Sequence, residues 1–423
     1  DVYKRQNVGM PSSCLNKVCG FLTVVGSSNR PGTLLGSLFL AAGLAGCSTV
    51  PERQPITEAL SDKAVISGIP EARFWADEWP AYSRDLVSSL EDVDLRSRYP
   101  AIYGTPHHYL AISGGGPDGA FGAGLLAGWT AAGTRPQFTL VTGISTGALT
   151  APFAFLGSDY DPLLKQVYTT LKTEDIINKR SVVAAAFGDA AADTAPLRDL
   201  IAKLVDDKII EAIAEEYRKG RQLFIGTMNL DAGREVIWNI GKIAASDDPG
   251  KKDLIHDVML ASASIPVAFP PVMIKVEADG KTFDELHVDG GTGAQVFVYP
   301  AAIDWKRLLD LLNVREPPNV YVIRNSQIRP EFQATERDLV SIAGRSISSL
   351  IRTQGVGDLY QIYILAQRDG STYNLTYIPE DFAVEASEPF DPVYMGKLYD
   401  LGHQKGLSGE AWQHEPPGYV SGP

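Results

Sequence analysis

The sequence predicts an α/β fold with a mainly parallel central sheet and helices on its faces. Two glycine-rich motifs, at residues 114–119 and 143–147, carry this prediction, because each follows an apolar run typical of a strand and precedes a run typical of a helix. Such strand-turn-helix units return the chain to the same edge of a sheet, so that successive strands lie parallel. Functional loops are then expected at the carboxyl ends of the strands.

Composition divides the 423 residues into four parts. A polar, proline-broken stretch follows an apolar leader and is expected to form a linker and an arm that wraps the core. Glycine and proline return near the end of the chain, where a loose tail is expected. The parts are a signal peptide with an N-terminal remnant (1–46), a lipidated linker and N-terminal arm (47–105), the main domain (106–410, with a helical insertion at about 160–220) and the tail (411–423).

The leader ends in the motif Leu-Ala-Gly-Cys at residues 44–47, behind an apolar run at residues 33–43 that is too short to span a bilayer. This ending resembles the bacterial lipobox, in which the cysteine carries the lipid. Cys47 is therefore the expected first residue of the mature chain. Ser48 after it resembles lipoproteins sorted to the outer membrane, here expected to face the periplasm. The alternative is an ordinary signal peptide with a chance cysteine.

The formal net charge of the chain is −13 at pH 7. A surface so acidic argues against nucleic acid as a partner and against general attraction to anionic membranes. Membrane contact is instead expected through the lipid on Cys47. The other two cysteines, Cys14 and Cys19, fall in the leader, so no disulfide is expected in the mature chain. The sequence leaves the oligomeric state open.

The second glycine motif has the pattern G-x-S-x-G, with Ser145 at its centre. Gly143 and Gly147 frame the serine because the turn from strand to helix is too sharp for side chains beside it. The pattern holds a hydroxyl out at the tip of the turn. Ser145 is therefore the candidate nucleophile of a serine acyl hydrolase.

The first glycine motif places three consecutive glycines, Gly114, Gly115 and Gly116, after a strand, and Gly119 opens the next helix. Backbone N–H groups can crowd a small space there, as a developing oxyanion requires. A dinucleotide-binding turn is the alternative, but it needs an acidic residue about 20 residues further on. Residues 138–142 supply none. No cofactor is expected.

A third motif, Asp289-Gly290-Gly291, follows an apolar run at residues 286–288 that predicts a short strand. In chain order, the motifs of this chain are the glycine loop, the turn that carries Ser145, the Ser-Ile-Pro-Val-Ala-Phe-Pro-Pro stretch and the third motif. Together, they resemble the patatin-like phospholipase family. The resemblance implies a three-layer α/β/α fold, with Ser145 as nucleophile, Asp289 as base and the three consecutive glycines as oxyanion hole. It implies hydrolysis of lipid esters, as a phospholipase A or carboxylic ester hydrolase, by a Ser-Asp dyad through an acyl-enzyme.

The residues support this chemistry independently. A carboxylate can activate a serine hydroxyl if it lies within hydrogen-bond reach and is partly desolvated. Because Asp289 follows a predicted strand, it is expected at the same edge of the sheet as the turn that carries Ser145. Gly290 and Gly291 leave room for close approach. A lipid or another ester is the expected substrate.

Two alternatives to this function stay open. An α/β-hydrolase esterase would use a Ser-His-Asp triad, in the chain order Ser145, an acid and His403. A lipid-binding lipoprotein with the same fold would need no activity. Asp118 departs from the family, which commonly has Arg or Lys at this position, and this puts a preference for anionic phospholipids in doubt. The histidines lack the spacing of metal ligands, so no metal site is expected.

Two long segments read as helical. At about 160–220, apolar residues recur at helical spacing, which predicts amphipathic helices packed on the sheet or, alternatively, a cap over an acyl pocket. Residues 337–367 predict long helices that are interrupted near Gly355 and Gly357.

Overall fold

The computed structural model of the protein describes residues 53–78, 94–179, 190, 192–329, 332 and 334–419, which belong to one unit of the chain, residues 50–423. The expected leader and the lipidation site Cys47 lie outside the described residues, as do Cys14 and Cys19. Across these ranges, no helix combines the length and the apolar character that crossing a membrane requires.

A sheet of nine strands forms the middle layer, and a separate two-stranded ribbon lies outside it. The strands are β1 (Arg73–Trp75), β2 (His108–Ile112), β3 (Leu140–Gly143), β4 (Asn178–Lys179), β5 (Ala192–Asp193), β6 (Gln222–Asn229), β7 (Arg234–Asn239), β8 (Val272–Ala278), β9 (Lys281–Asp289), β10 (Asn319–Arg324) and β11 (Thr372–Tyr377). The main sheet has the order β1-β7-β6-β3-β2-β10-β11, and β9 pairs with both β6 and β8. The ribbon joins β4 and β5.

Helices cover both faces of this sheet. They are α1 (Glu58–Ser61), α2 (Leu95–Arg98), α3 (Gly119–Ala131), α4 (Thr146–Leu156), α5 (Asp161–Thr170), α6 (Thr173–Ile176), α7 (Ala195–Leu204), α8 (Asp207–Arg218), α9 (Ile240–Ala244), α10 (Lys251–Ser262), α11 (Trp305–Leu311), α12 (Leu339–Asp369) and α13 (Pro392–Ser408). Short 3-10 turns lie at Gly116–Asp118, Ser158–Tyr160 and Gly290–Thr292.

The five neighbouring strands β11, β10, β2, β3 and β6 are all parallel. Alternate side chains of β2 enter two separate hydrophobic cores. Leu110 and Ile112 pack with α3, α4 and α10, whereas Tyr109 and Ala111 pack with α12. The predicted three-layer α/β/α fold with a mainly parallel sheet is therefore confirmed.

The strand predicted at residues 286–288 is longer and differently placed than expected. It is the end of β9, which pairs with β8 in an antiparallel hairpin. Asp279 and Gly280 form the two-residue turn, and both have positive φ, 48° and 74°. This conformation is the one that Asp-Gly turns adopt in hairpins. Strand β8 thus ends at Ala278, and Asp279 belongs to the turn.

The helices predicted at residues 337–367 are one continuous helix, α12. Gly355 lies inside this helix and does not interrupt it. A side chain at this position would come within 2.6 Å of Nη1 of Arg324, which accounts for the glycine. Glycine inside a helix costs about 1 kcal/mol relative to alanine. Burial of Leu359 and Ile362 against the sheet offsets that cost. The chain then leaves α12 at Gly370 and adds β11, which the sequence analysis did not predict.

The segment at about 160–220 is largely helical, as predicted, but it also contains the ribbon β4–β5. Helix α8 packs against α4, α9 and β6 and buries Ile209, Ile210 and Ile213. Helix α7 packs against α6 and α10. These described helices therefore belong to the layer that covers the sheet.

Helices α3 and α13 cross at unusually close range because glycines face each other at the contact. A side chain on Gly124 or Gly128 would overlap the backbone of α13, and one on Gly402 or Gly406 would overlap the backbone of α3. Small residues at such spacing let two helix backbones touch. Because α3 begins directly after the glycine loop, this contact fixes the far end of that loop.

We expect Gly402→Ala to lower the free energy of unfolding by about 1–3 kcal/mol, because its methyl group would displace the carbonyl of Phe121. The matched change on the same helix is Gly396→Ala, where no atom lies within 4 Å of the added carbon. It should raise stability by about 0.5–1 kcal/mol. Denaturant unfolding of both variants measures the difference, and equal shifts would contradict the close crossing.

Candidate active site

Ser145 lies in the sharp turn between β3 and α4, with φ 55° and ψ −123°. A non-glycine residue in this region costs about 1–3 kcal/mol. The backbone is so crowded that a side chain on Gly143 would overlap the carbonyl of Gly147, and one on Gly147 would overlap the carbonyl of Ile112. These close contacts therefore require glycine at both framing positions. Helix α4 directs the positive end of its dipole toward Ser145.

Two serines outside the motif hold the backbone of the site. The N–H of Ser145 donates to Oγ of Ser262 at 3.0 Å, and this hydroxyl donates to the carbonyl of Gly226 at 2.7 Å. The N–H of Asp289 donates to the carbonyl of Ser264 at 2.9 Å. The sequence analysis did not identify either role, because a hydrogen bond between distant segments leaves no local pattern.

The sheet register brings Asp289 to the level of Ser145. Gly143 in β3 pairs with Ile225 in β6, and Thr227, two residues further on, pairs with Asp289 in β9. Ser145 also lies two residues past Gly143, so the two side chains face each other across the end of β6. The expectation of a shared sheet edge holds. However, β9 is antiparallel to β6 and arrives from the opposite direction.

The carboxyl group of Asp289 is buried, and it lies close enough to the side chain of Ser145 for the serine to act on its pKa. The N–H of Gly291 donates to its Oδ1 at 2.7 Å. Burial raises the pKa of Asp289 to about 7, although the Ser145 side chain and the Gly291 N–H act to lower it. A carboxylate with this pKa can accept a proton near neutral pH and return it.

The two glycines after Asp289 are needed for this approach. A side chain on Gly290 would lie 2.6 Å from the carbonyl of Gly226, and one on Gly291 would lie 3.0 Å from Oδ1 of Asp289. Any side chain at either position would therefore push the loop away from the serine.

The three consecutive glycines do not have equal roles. The N–H of Gly114 donates to the carbonyl of Gln295 at 3.2 Å and is therefore occupied. Within the described residues, the N–H groups of Gly115 and Gly116 have no hydrogen-bond acceptor. The expectation of three oxyanion donors is thus reduced to two. Gly114 serves instead to admit Ser145, whose Cβ would lie 3.1 Å from an added side chain.

Gly119, predicted to frame the loop, also lies at a close contact. A side chain there would overlap Oγ1 of Thr146, the residue after the nucleophile. The start of α3 therefore packs directly against the start of α4.

Asn325, just past the end of β10, clamps the glycine loop. Its N–H donates to Oγ of Ser113 at 2.8 Å, its Nδ2 donates to the carbonyl of Ser113 at 3.0 Å, and its Oδ1 accepts the N–H of Gly122 at 3.0 Å. A side chain on Gly115 would overlap the carbonyl of Asn325. No motif predicts this residue, because its partners lie about two hundred positions away in the chain.

Gln295 connects the site to helix α12. Its backbone N–H donates to Oδ2 of Asp358 at 2.6 Å, and its side-chain oxygen lies 3.3 Å from the position of a Cβ on Gly114. Arg324 lies nearby, next to Gly355. It is 1% exposed, its Nε and Nη1 have no partner among the described residues, and burial lowers its pKa to about 10.

His287, two residues before Asp289, is buried in a separate polar network. Its Nδ1 lies 2.9 Å from Oγ1 of Thr227, and its Nε2 lies 3.0 Å from Oε2 of Glu285. Glu285 forms an ion pair with Arg73 of the N-terminal arm. Burial alone would raise the pKa of Glu285, but His287 and Arg73 lower it to about 2. His287 thus helps to fix the arm to β9.

His403 lies on α13, where its ring stacks near Tyr399 and its backbone touches Gly128 on α3. Gly128 is nine residues past Gly119, or about 13 Å along the helix. All six histidines are among the described residues, and none is hydrogen-bonded to Ser145 or Asp289. The geometry therefore offers no imidazole for the alternative Ser-His-Asp triad.

Asp118 lies in the 3-10 turn after the glycines, and its Oδ1 accepts a hydrogen bond from the hydroxyl of Tyr394 at 2.6 Å. Asp118 thus joins the glycine loop to α13. Among the side chains that the structure describes, no group of three or more His, Cys, Asp or Glu is placed to hold a metal ion.

Known proteins resemble parts of this chain. Residues 110–302 match the family model described as patatin-like phospholipase. This match supports lipid hydrolysis as the general class of activity. Among solved structures, the chain is similar to VipD from Legionella pneumophila, with 13% sequence identity and a TM-score of 0.35 over 73% of this chain and 67% of that chain. No curated protein matches the sequence.

The pKa of Asp289 predicts the pH dependence of hydrolysis. Because the raised pKa is about 7, the carboxyl group is protonated below that pH and cannot accept the serine proton. We expect kcat/KM for a soluble ester to fall about tenfold per pH unit below about 7 and to level off above it. Thermal melting across the same range checks that the fold persists. A midpoint near pH 4 would contradict a desolvated base.

Proposed function

We propose that this protein hydrolyses the carboxylic ester bonds of lipids, as a phospholipase A or related ester hydrolase, with Ser145 and Asp289 as a catalytic dyad. The observation that carries the proposal is the buried carboxylate of Asp289, which lies beside the side chain of Ser145 and has a pKa of about 7. The family match supports the lipid as substrate class.

In the first half of the proposed reaction, Asp289 takes the proton of the Ser145 hydroxyl while Oγ attacks the ester carbonyl. The negative oxygen of the tetrahedral intermediate lies against the N–H groups of Gly115 and Gly116. The intermediate collapses to an acyl-enzyme, and Asp289 returns its proton to the leaving alcohol.

In the second half, water replaces the alcohol. Asp289 takes a proton from the water molecule as its oxygen attacks the acyl-enzyme, and the same two N–H groups stabilise the second intermediate. Collapse releases the fatty acid and returns the proton to Oγ of Ser145. One carboxylate thus performs the proton transfers that a triad assigns to histidine.

We expect Ser145→Ala and Asp289→Asn each to reduce ester turnover by at least about a thousandfold, because nucleophile and base act as one unit. For the same reason, the double variant should be no slower than either single variant. Steady-state hydrolysis of a nitrophenyl ester, with melting curves to confirm folding, measures both effects. Near-normal turnover by either variant would disprove the dyad.

Histidine variants provide the matched control for the triad alternative. His403→Ala and His287→Leu should change turnover by less than about tenfold. A loss of a thousandfold at His403 in a folded variant would favour the triad. Stoichiometric labelling of Ser145 by a fluorophosphonate would argue against a lipid-binding protein without activity.

We also propose that Cys47 is lipidated and anchors the protein to a bacterial outer membrane, facing the periplasm. The support is the motif at residues 44–47 behind the short apolar run. Stable anchoring requires more than one acyl chain, which a lipobox cysteine receives. Mass spectrometry of the mature N-terminus should find a diacylated or triacylated Cys47. An unmodified cysteine, or a mature start elsewhere, would refute the anchor.

A further inference from the structure

The first half of α12, residues 339–354, leaves large apolar side chains in solvent. Leu339 is 83% exposed and Leu350 is 70% exposed, and Ile342 is also exposed. Phe332, a few residues before the helix, is 94% exposed. These include the three most exposed large hydrophobic residues in the described part of the chain. Exposed apolar side chains that cluster in this way mark a surface that contacts something else.

The exposed residues lie on one face of the helix. At about 100° per residue, Leu339, Ile342 and Leu350 fall within about 80° of one another. Arg345 and Arg352, seven residues apart, follow the border of this face. Residues 339–357 contain no acidic residue, although the whole chain has a net charge of −13. The segment is therefore locally basic and amphipathic, which is typical of helices that lie in a membrane interface.

This segment leads directly into the candidate active site. A side chain on Gly355 would lie 3.0 Å from Cβ of Gln295, and the amide of Gln295 borders Gly114, which contacts Ser145. Leu350 is five residues before Gly355, or about 8 Å along the axis, and Leu339 is about 24 Å away. The exposed face thus extends outward from the edge of the site.

We propose that residues 339–354 dock the domain on a phospholipid surface, with Leu339, Ile342 and Leu350 in the interface and the two arginines against anionic headgroups. The proposal rests on the proposed lipid hydrolysis and specifies how the substrate is reached. A surface held at this helix places the bilayer beside the glycine loop, so that a lipid moves from the membrane to Ser145 by a short path.

A lipid surface fits this face better than a second copy of the chain. A copy seated on it would cover the edge of the site from which the helix extends. Arg345 and Arg352 also give this face a positive charge, which anionic phospholipid headgroups complement. The lipid on Cys47 would hold the protein near the membrane, whereas this face would orient it.

The test is co-flotation of the full chain with vesicles of equal parts phosphatidylcholine and phosphatidylglycerol. The chain carries Cys47→Ser to remove the acyl anchor and Ser145→Ala to protect the vesicles. We expect it to bind, and to bind less at high salt or on pure phosphatidylcholine. The double variant Leu339→Asp/Leu350→Asp should lower vesicle affinity by at least about tenfold.

The control variant Ile364→Asp/Leu407→Asp adds the same charge at two other exposed apolar positions, both outside residues 339–354. It should bind like the parent chain. Equal loss in both double variants, or no binding by the parent chain, would overturn the proposal. So would light scattering that shows a dimer dissociated by Leu339→Asp/Leu350→Asp, because the partner would then be a second copy.

A second readout separates this inference from the proposed function. With Ser145 restored, Leu339→Asp/Leu350→Asp should hydrolyse a monomeric nitrophenyl ester at the parental rate but hydrolyse vesicle phospholipid at least about tenfold more slowly. If no variant cleaves any ester while vesicle binding still follows the pattern above, lipid hydrolysis fails and docking stands. If vesicle hydrolysis is unchanged, docking by this face fails.

Discussion

The placement of the buried carboxylate of Asp289 beside Ser145 imposes requirements on the surrounding structure. A carboxylate removed from water loses its hydration, and its pKa rises to about 7 because the protein replaces only part of that loss. The N–H of Gly291 supplies one replacement. A further hydrogen bond to the ionised carboxylate would make it a weaker base, and one fewer would hold it protonated. The basicity of this group therefore depends on how closely the backbone is packed around it.

That packing is enforced by segments from the whole domain. The end of α10 supplies Ser262, which links the nucleophile turn to β6, and the loop after it supplies Ser264, which holds Asp289. Asn325 at the end of β10 fixes the glycine loop, and α13 fixes the helix that follows it. Gln295 extends the same network to Asp358 on α12. The helix whose outer half is apolar and basic is thus part of the support of the site.

The differences between the predicted and observed folds have distinct physical origins. The hairpin β8–β9 was predictable, since Asp279-Gly280 lies between alternating apolar residues. The continuity of α12 was not predictable. Gly355 is tolerated within the helix because Arg324 and Gln295 pack closely against it. Edge strand β11 follows Gly370 and gains its stability from pairing with β10, which no local pattern encodes.

The sequence by itself determined the α/β class, the nucleophile turn and the glycine loop, because backbone crowding within a few residues demands glycine and leaves a local pattern. It also marked Asp289, although not the direction of its strand. Only the tertiary structure decided that the N–H groups of Gly115 and Gly116 meet no acceptor in the described part of the chain, whereas that of Gly114 does, and that Asn325, Ser262 and Gln295 support the site. Those roles arise from hydrogen bonds between residues far apart in the chain, and such bonds constrain no neighbouring residue type.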